Sequence, residues 1–323
     1  MNPYALPDGK VQVSFSGGRT SGYMLRHLID ANPDFAERCE VVFSNTGREM
    51  PETLDFVQEC GERWGVPITW VEWRPGPSGQ QYKIVGHNQA ARDGEPFAAL
   101  IRSKAFLPNQ RFRICTQSLK VRPARDYLRS IGWDHWSAAI GIRKDEPHRH
   151  EGKSDLKERW RRWMPLVTAG VSKGDVISWW KRQPFDLRLR AVRGNSVMGN
   201  CDGCFLKSEA HAAALARDHP ERHAWWERME AETQARWFAL SPWARLRRLR
   251  LLEFEMCEKL REAYGRPIPR SVIEGFVASA RSGGTFSKRF ARRDLRAFVE
   301  RQGDWIFESK GTLCQADDGE CVM

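Results

Sequence analysis

No run of about eighteen uncharged apolar residues occurs in the 323-residue chain, so the sequence offers no helical membrane span. The opening stretch MNPYALPDGKVQVSF lacks the basic-then-apolar pattern of a secretory leader. The expectation is a cytoplasmic protein with no membrane partner. Two phosphate-binding signatures are also missing. Without G-x-x-x-x-G-K-[ST] there is no Walker A loop, and without G-x-G-x-x-G there is no common dinucleotide fingerprint. No internal repeat is present.

Hydrophobic residues make up 41% of the chain and charged residues 29%, a globular balance with enough apolar material for a sizeable core. Lys and Arg number 52 against 41 Asp and Glu, a formal charge of +11. That excess favours an anionic partner, either nucleotide phosphate or nucleic acid, and the alternative is an ordinary basic surface. Eight cysteines in a cytoplasmic chain are not a disulfide set. Cys201 and Cys204 form a C-x-x-C pair, which reads as metal, iron–sulfur or redox chemistry.

Hydrophobic patterning alternates strands with helices. VQVSFS (11–16) is β-rich and leads through GGRTSG into the helix-like run YMLRHLIDA, with Met24, Leu25, Leu28 and Ile29 on one face. CEVVFSN is a second strand, TGREMP a turn, and Pro51 opens an amphipathic helix. PITWVEW is a third strand, KVRPARDYLRSIG turns helical after Pro123, and WSAAIGI is a fourth strand ending at Arg143. Residues 74–80 read as a loop, 81–115 as a mixed cap over the site, and 144–163 as a charged surface loop. Ser172 and Asp175 have the spacing of a capping box. The pattern predicts an α/β fold with a doubly wound, mostly parallel sheet, followed by a C-terminal helical extension. The expected division is a nucleotide-binding domain at 1–208, a basic helical extension at 209–305 and a tail at 306–323.

FSGGRTS carries the chemistry. It lies between a strand and a helix, where glycines let the backbone approach a ligand closely. The first N–H groups of the following helix lack intrahelical partners and have the positive end of the helix dipole behind them, a natural phosphate site. Ser16, Gly17, Gly18, Arg19, Thr20 and Ser21 are therefore the candidate nucleotide contacts, with hydroxyl donors at Ser16, Thr20 and Ser21 and charge at Arg19.

FSGGRTS resembles the pyrophosphate (PP) loop of the adenine-nucleotide α-hydrolase superfamily, a Rossmann-like group that includes N-type ATP pyrophosphatases and the phosphoadenosine-phosphosulfate (PAPS) reductases. Further segments resemble the PAPS reductase branch, in order: SNTGREMPETLDFV, RICTQSLKVRPARDYL, AIGIRKDE, MPLVTAGVSKGDVISWW and GNCDGCF. The resemblance covers about residues 10–207. It implies that Asn45, Thr46 and Gly47 contact the nucleotide, with Asn45 standing where the family has Asp. It also implies that Lys120 and Arg143 neutralise phosphate or sulfate during reaction, Arg suiting bidentate contact. Arg122 lies in the same segment and reads equally as a solvated base. Glu146 is a candidate metal or water contact, and Asp145 a surface residue.

Cluster-containing members of the family hold a [4Fe–4S] cluster with a C-C pair and a later C-x-x-C. This chain keeps Cys115, Cys201 and Cys204, with Thr116 in place of one cysteine. A cubane takes four ligands. Cys60, Cys257, Cys314 and Cys321 are candidates for the fourth, or a non-protein ligand, since the resemblance also implies that a three-cysteine cluster leaves one iron open to sulfide. Zinc, with His148 or His150, and plain buried thiols are the alternatives, and magnesium is a further candidate with the nucleotide. The reductases end in E-C-G-x-H, and here Glu320-Cys321 is followed by neither glycine nor histidine. The resemblance thus implies ATP or a sulfonucleotide as ligand. One activity is ATP pyrophosphatase-type adenylation coupled to sulfur transfer, with sulfide or a sulfur-donor protein as partner and nucleic acid as candidate acceptor. The alternatives are a sulfonucleotide reductase making sulfite and a non-catalytic nucleotide- and nucleic-acid-binding module. Basic runs with Arg245, Arg247, Arg248, Arg250, Lys288, Arg289, Arg292 and Arg293 could track a phosphate backbone or form a charged outer face. The tandem tryptophans Trp179–Trp180 and Trp225–Trp226 read as core before base-stacking.

Overall fold

The computed structural model describes residues 2–109, 113–150, 158–192, 195–239 and 291–302. Its centre is a six-stranded sheet of order β4-β3-β2-β1-β5-β6. The strands are β1 (Val11–Ser14), β2 (Cys39–Asn45), β3 (Ile68–Trp73), β4 (Tyr82–Val85), β5 (Trp136–Ile140) and β6 (Trp160–Trp163). All neighbours are parallel except β3 and β4. The chain runs outward from β1 through β2 and β3, then returns to place β5 on the other side of β1. The order reverses between β1 and β5. In such sheets, the crevice at the carboxyl ends of the strands beside that reversal is where ligands bind.

Alternation along the strands explains why both faces are covered. Val13, Val41, Phe43 and Ala139 face one cluster, while Val42, Val71, Ala138 and Ile140 face the other. Strands buried on both sides read as near-continuous apolar runs, which is why 39–45 and 136–142 were legible. Helices α1 (Arg19–Ala31) and α3 (Pro51–Trp64) cover the first face, with the short α2 (Phe35–Arg38) between them in the chain. Helix α5 (Arg122–Ser130) covers the second through Ala124, Tyr127 and Leu128. Helix α8 (Lys173–Trp180) packs on α1. Ser172 caps it by accepting from the Asp175 N–H, while Asp175 accepts from the Ser172 N–H at 2.8 Å, the expected capping box.

Two segments differ from the sequence expectation, 144–163 and the start of α1, while the mixed 81–115 holds both a strand and a helix. Residues 144–163 are not simply a loop, because α6 (Pro147–His150) and the edge strand β6 lie within them. The W-R-R-W alternation of β6 is only four residues long and charged, but Trp160 stacks on Trp136 at 5.6 Å, which pins it. Residues 81–115 hold β4 and α4 (Glu95–Lys104). Helix α1 begins at Arg19, so R-T-S-G is already its first turn. A side chain at Gly22 would meet Trp180, placing a Cβ 2.7 Å from Cζ2.

After α7 (Pro165–Thr168) and α8, a two-stranded ribbon of β7 (Ala191–Val192) and β8 (Asn195–Ser196) leads to the C-x-x-C loop. Helices α9 (Glu209–Asp218), α10 (Pro220–Ala239) and α11 (Arg292–Gln302) follow and pack on one another. Their Leu215, Trp226 and Met229 belong to the same buried cluster as Val13 and Leu25, so one apolar core runs across residue 208. The basic stretch 244–250, Lys288, Arg289, Cys257 and the tail with Cys314 and Cys321 lie outside the described residues. No described helix is long and apolar enough to cross a membrane.

Candidate functional site

The loop after β1 is shaped by one serine. Ser21, in the first turn of α1, turns its hydroxyl back toward the loop and accepts from the N–H groups of Ser16 and Gly18, both at 3.3 Å. Its Oγ also lies 2.9 Å from the Ser16 Oγ and donates to the Gly18 carbonyl at 3.0 Å. Gly17 sits between them at φ +77°, a left-handed conformation that a side chain would strain. A Cβ there would lie 2.7 Å from Thr53 Cγ2 and 3.0 Å from Val57 Cγ2, so the loop is pressed against α3. Gly18 is the N-cap, extended at φ −101° and ψ 164°. The result is a rigid loop at the carboxyl end of β1, opening onto the first turn of a thirteen-residue helix.

Arg143 reaches this loop from β5. It is buried, and its Nη1 donates to the Thr20 Oγ1 at 3.1 Å. Asp145 holds it through Nε at 2.9 Å, and the Glu146 carboxylate receives its backbone N–H at 3.1 Å. Glu146, itself buried, also pairs with Arg149. Asp145 accepts the Lys173 N–H, tying α8 to the same corner. Arg19 points elsewhere. Asp186 binds it bidentately at 2.7 and 2.9 Å, and the Leu187 carbonyl and Ser196 hydroxyl accept two further bonds from it. It thereby ties α1 to the chain leading into the C-x-x-C loop.

The turn after β2 is built from buried polar groups. Asn45 donates to Glu72 at 2.6 Å and to the Ala91 carbonyl at 2.9 Å, while its Oδ1 accepts the Gly47 N–H. Glu72 is fully buried and pairs with Lys83. An aspartate at 45 would set a second carboxylate against it, which explains the asparagine. Gly47, at φ +80°, packs against Gly94 at the start of α4, where a Cβ at 47 would fall 3.0 Å from the Gly94 Cα. Thr46 gives both its N–H and its hydroxyl to Glu49. The hydroxyl also lies 3.2 Å from the Cys201 Sγ.

Cys115, Cys201 and Cys204 line one cavity of about 20 Å³, together with Thr46, Lys120 and Asn200. Cys115 is followed by a π-helical turn at Thr116–Val121, whose i→i+5 bonding places Thr116 and Lys120 on the same wall. Lys120 thus faces the sulfurs, close to β2, where Ser44 bonds its carbonyl. Burial pushes the Cys201 thiol well above its ordinary value, and Glu49 adds to this, while Lys120 opposes it. Among the described residues, no three His, Cys, Asp or Glu side chains gather where one metal ion could be held. Cys60 lies on α3 in the core, away from this wall. The donors are right in kind for a soft metal, but the described side chains do not close on one point as a zinc ion or a cubane needs.

Asp202, between the two cysteines, is the residue whose role the sequence did not reveal. Fully buried, it accepts from Arg48 at 2.7 Å, from the Trp226 indole at 2.8 Å, from the Gly203 N–H at 2.7 Å, and from Arg222. Burial raises its pKa, but Arg48 and Arg222 outweigh that and hold it below the ordinary carboxylate value. Arg48 lies over the Trp225 ring at 4.8 Å. Arg292, also buried, donates to the Gly203 carbonyl from α11, so it is not on an outer face, whereas Arg293 is exposed. All of Trp180, Trp225 and Trp226 are buried. The available signal was the D in C-D-G-C, an acidic residue inside an apolar loop followed by an arginine-rich helix.

The family model of the phosphoadenosine phosphosulfate reductase domain matches residues 10–184. The chain belongs to that family. Over 222 residues it is 29% identical to the nin region protein ORF290 of Escherichia phage lambda, covering 64% of this chain and 69% of that one. It is 26% identical over 145 residues to protein MJ0066 of Methanocaldococcus jannaschii, covering 45% of this chain and 25% of that protein. A solved structure of PAPS reductase from Candida auris, in complex with phosphate, superposes with a TM-score of 0.36 at 15% identity, over 56% of this chain and 79% of that one. The family match ends at residue 184, just past α8, so the C-x-x-C loop and α9–α11 lie beyond it.

Proposed function

We propose that the protein binds ATP on the Ser16–Ser21 loop, releases pyrophosphate, and adenylates an acceptor that then receives sulfur, with nucleic acid as the acceptor class. The observation that carries this reading is the buried Arg143 guanidinium at the Thr20 hydroxyl, beside a loop whose backbone is already fixed by Ser21. A cation preset at the mouth of a helix N-terminus stabilises the charge that builds up on a phosphate as its bond breaks, without reorganising at that moment. Lys120 lines the sulfur-lined cavity and its carbonyl is bonded by Ser44 on β2, the strand beside β1, which supports sulfur delivery to the activated atom. Asn45, Thr46 and Gly47 shape the second wall rather than offer free donors, since their side chains and the Gly47 N–H are engaged internally.

The test is pyrophosphate release from ATP, with and without single-stranded or duplex nucleic acid. Release supports the reading, and its absence in all mixtures sinks it. Reduction of a sulfonucleotide is the second reading, favoured by the family match. Sulfite release from PAPS or adenylyl sulfate in the presence of a dithiol would select it instead.

A further inference from the structure

Asn200 precedes the C-x-x-C pair and adopts a left-handed backbone at φ +51°. It is 3% exposed, and neither its Oδ1 nor its Nδ2 has a hydrogen-bond partner among the described residues. A buried amide with neither group satisfied costs on the order of 1–3 kcal/mol per group, and such atoms in native proteins call for a ligand or an ordered water. It borders the sulfur-lined cavity. At about 20 Å³ that cavity takes a single particle of roughly water size, and no nucleotide fragment.

The walls choose among particles of that size. Three cysteine sulfurs and the rings of Phe97 and Trp226 are polarisable and weakly hydrogen-bonding, which suits a soft, poorly hydrated species better than water. Lys120 supplies positive charge on the same wall. Of the carboxylates nearby, Glu49 is engaged by the N–H and hydroxyl of Thr46, and Asp202 by Arg48, Arg222 and the Trp226 indole. The amide offers an N–H donor to an anion and an acceptor to its single hydrogen.

We propose that this cavity binds one hydrosulfide anion, held by the Asn200 amide and the Lys120 ammonium against the three cysteine side chains. This rests on the sulfur-transfer reading above and names the form in which sulfur waits beside the nucleotide crevice. No covalent step is involved, since the anion enters and leaves as such.

Sodium hydrosulfide is added anaerobically to the full chain, excess is removed, and sulfide acquired above the initial acid-labile content is measured, alongside iron. Wild-type protein should retain about one sulfide per chain. Asn200→Asp keeps the shape and the left-handed backbone, and still accepts from water, but opposes an anion; retention should fall at least about tenfold. Asn200→Gly tolerates the same backbone and removes the amide, and should lose retention similarly. ATP titration of each protein runs in parallel and should be unchanged by either substitution. Equal retention by all three proteins, none by wild type, or retention that scales with iron rather than with residue 200 would overturn the proposal. ATP binding without sulfide would remove only the cavity assignment, whereas sulfide without ATP binding would remove the adenylation reading and leave the cavity standing.

Discussion

Replacing Asp202 with alanine should destabilise the protein by about 3–5 kcal/mol, because it strips the counter-charge from the buried Arg48 and the half-buried Arg222. Arg48 is 2% exposed and already carries one unsatisfied N–H, at Nε, so it has no route to water once the carboxylate is gone. The Trp226 indole and the Gly203 N–H lose their acceptor in the same step. Against a typical total of about 5–15 kcal/mol, the loss is large enough to read by urea unfolding followed by far-UV circular dichroism. Asp202→Asn keeps an oxygen for the indole and the N–H but removes the charge, so it should fall between wild type and alanine. The pH dependence carries a definite sign. The folded-state pKa lies below the unfolded one, so this residue's contribution is complete above the unfolded value of about 3.9 and is lost as the pH falls through the depressed folded value. An alanine variant within about 1 kcal/mol of wild type would refute the reasoning, since that is the range of an unremarkable surface change.

Gly18→Asp should leave the fold intact, because its extended backbone suits an aspartate N-cap, yet abolish ATP binding by calorimetry, since the new carboxylate would compete for the N–H groups a phosphate needs. Unchanged affinity would remove the loop assignment. Gly203→Ala should cost at least about 1–3 kcal/mol by denaturation, as its Cβ would fall 2.3 Å from the Trp226 indole nitrogen; a silent substitution would mean the α10 packing is loose. His223 is fully buried, and burial, Arg292 and Arg296 lower its pKa to about 3, with Asp202 opposing. The unfolded chain therefore takes up this proton first, and stability should fall as the pH drops from about 6.5 toward 3. His223→Phe should flatten that slope in pH-dependent melting, and an unchanged slope would locate the acid sensitivity elsewhere.

The fold was legible where period and burial agreed. Strands buried on both faces, such as 39–45, announce themselves by composition, and the Ser172–Asp175 box marks its helix by two residues. The edge strands were not legible. β6 is four residues of alternating Trp and Arg inside a charged stretch, and only Trp136, more than twenty positions earlier, gives it a reason to be a strand. The site divided the same way. The Ser16–Ser21 loop could be read as a unit because its parts are contiguous in sequence. Arg19 looked like a phosphate ligand by position, but its partner is Asp186, and no local pattern links residues 167 apart. Asp202 was missed for that reason too: a carboxylate between two cysteines means little until Arg48 and Arg222 are known to close on it.

That four-way grip has a consequence for the history of the family. Arg48 lies in the turn after β2, within the matched region, while Asp202, Arg222 and Trp226 lie beyond it. Trp225 occupies the space a side chain at Gly94 would need, at 2.5 Å from its Cβ position. Relatives that dispensed with α9 and α10 would keep the Arg48–Asp202 pair but lose Arg222 and the two tryptophans that cover it. Positions 48, 94, 202, 222 and 226 should therefore vary as a set across aligned relatives, present together or replaced together, and a lineage that acquired the C-terminal helices should have changed residue 48 in the same interval.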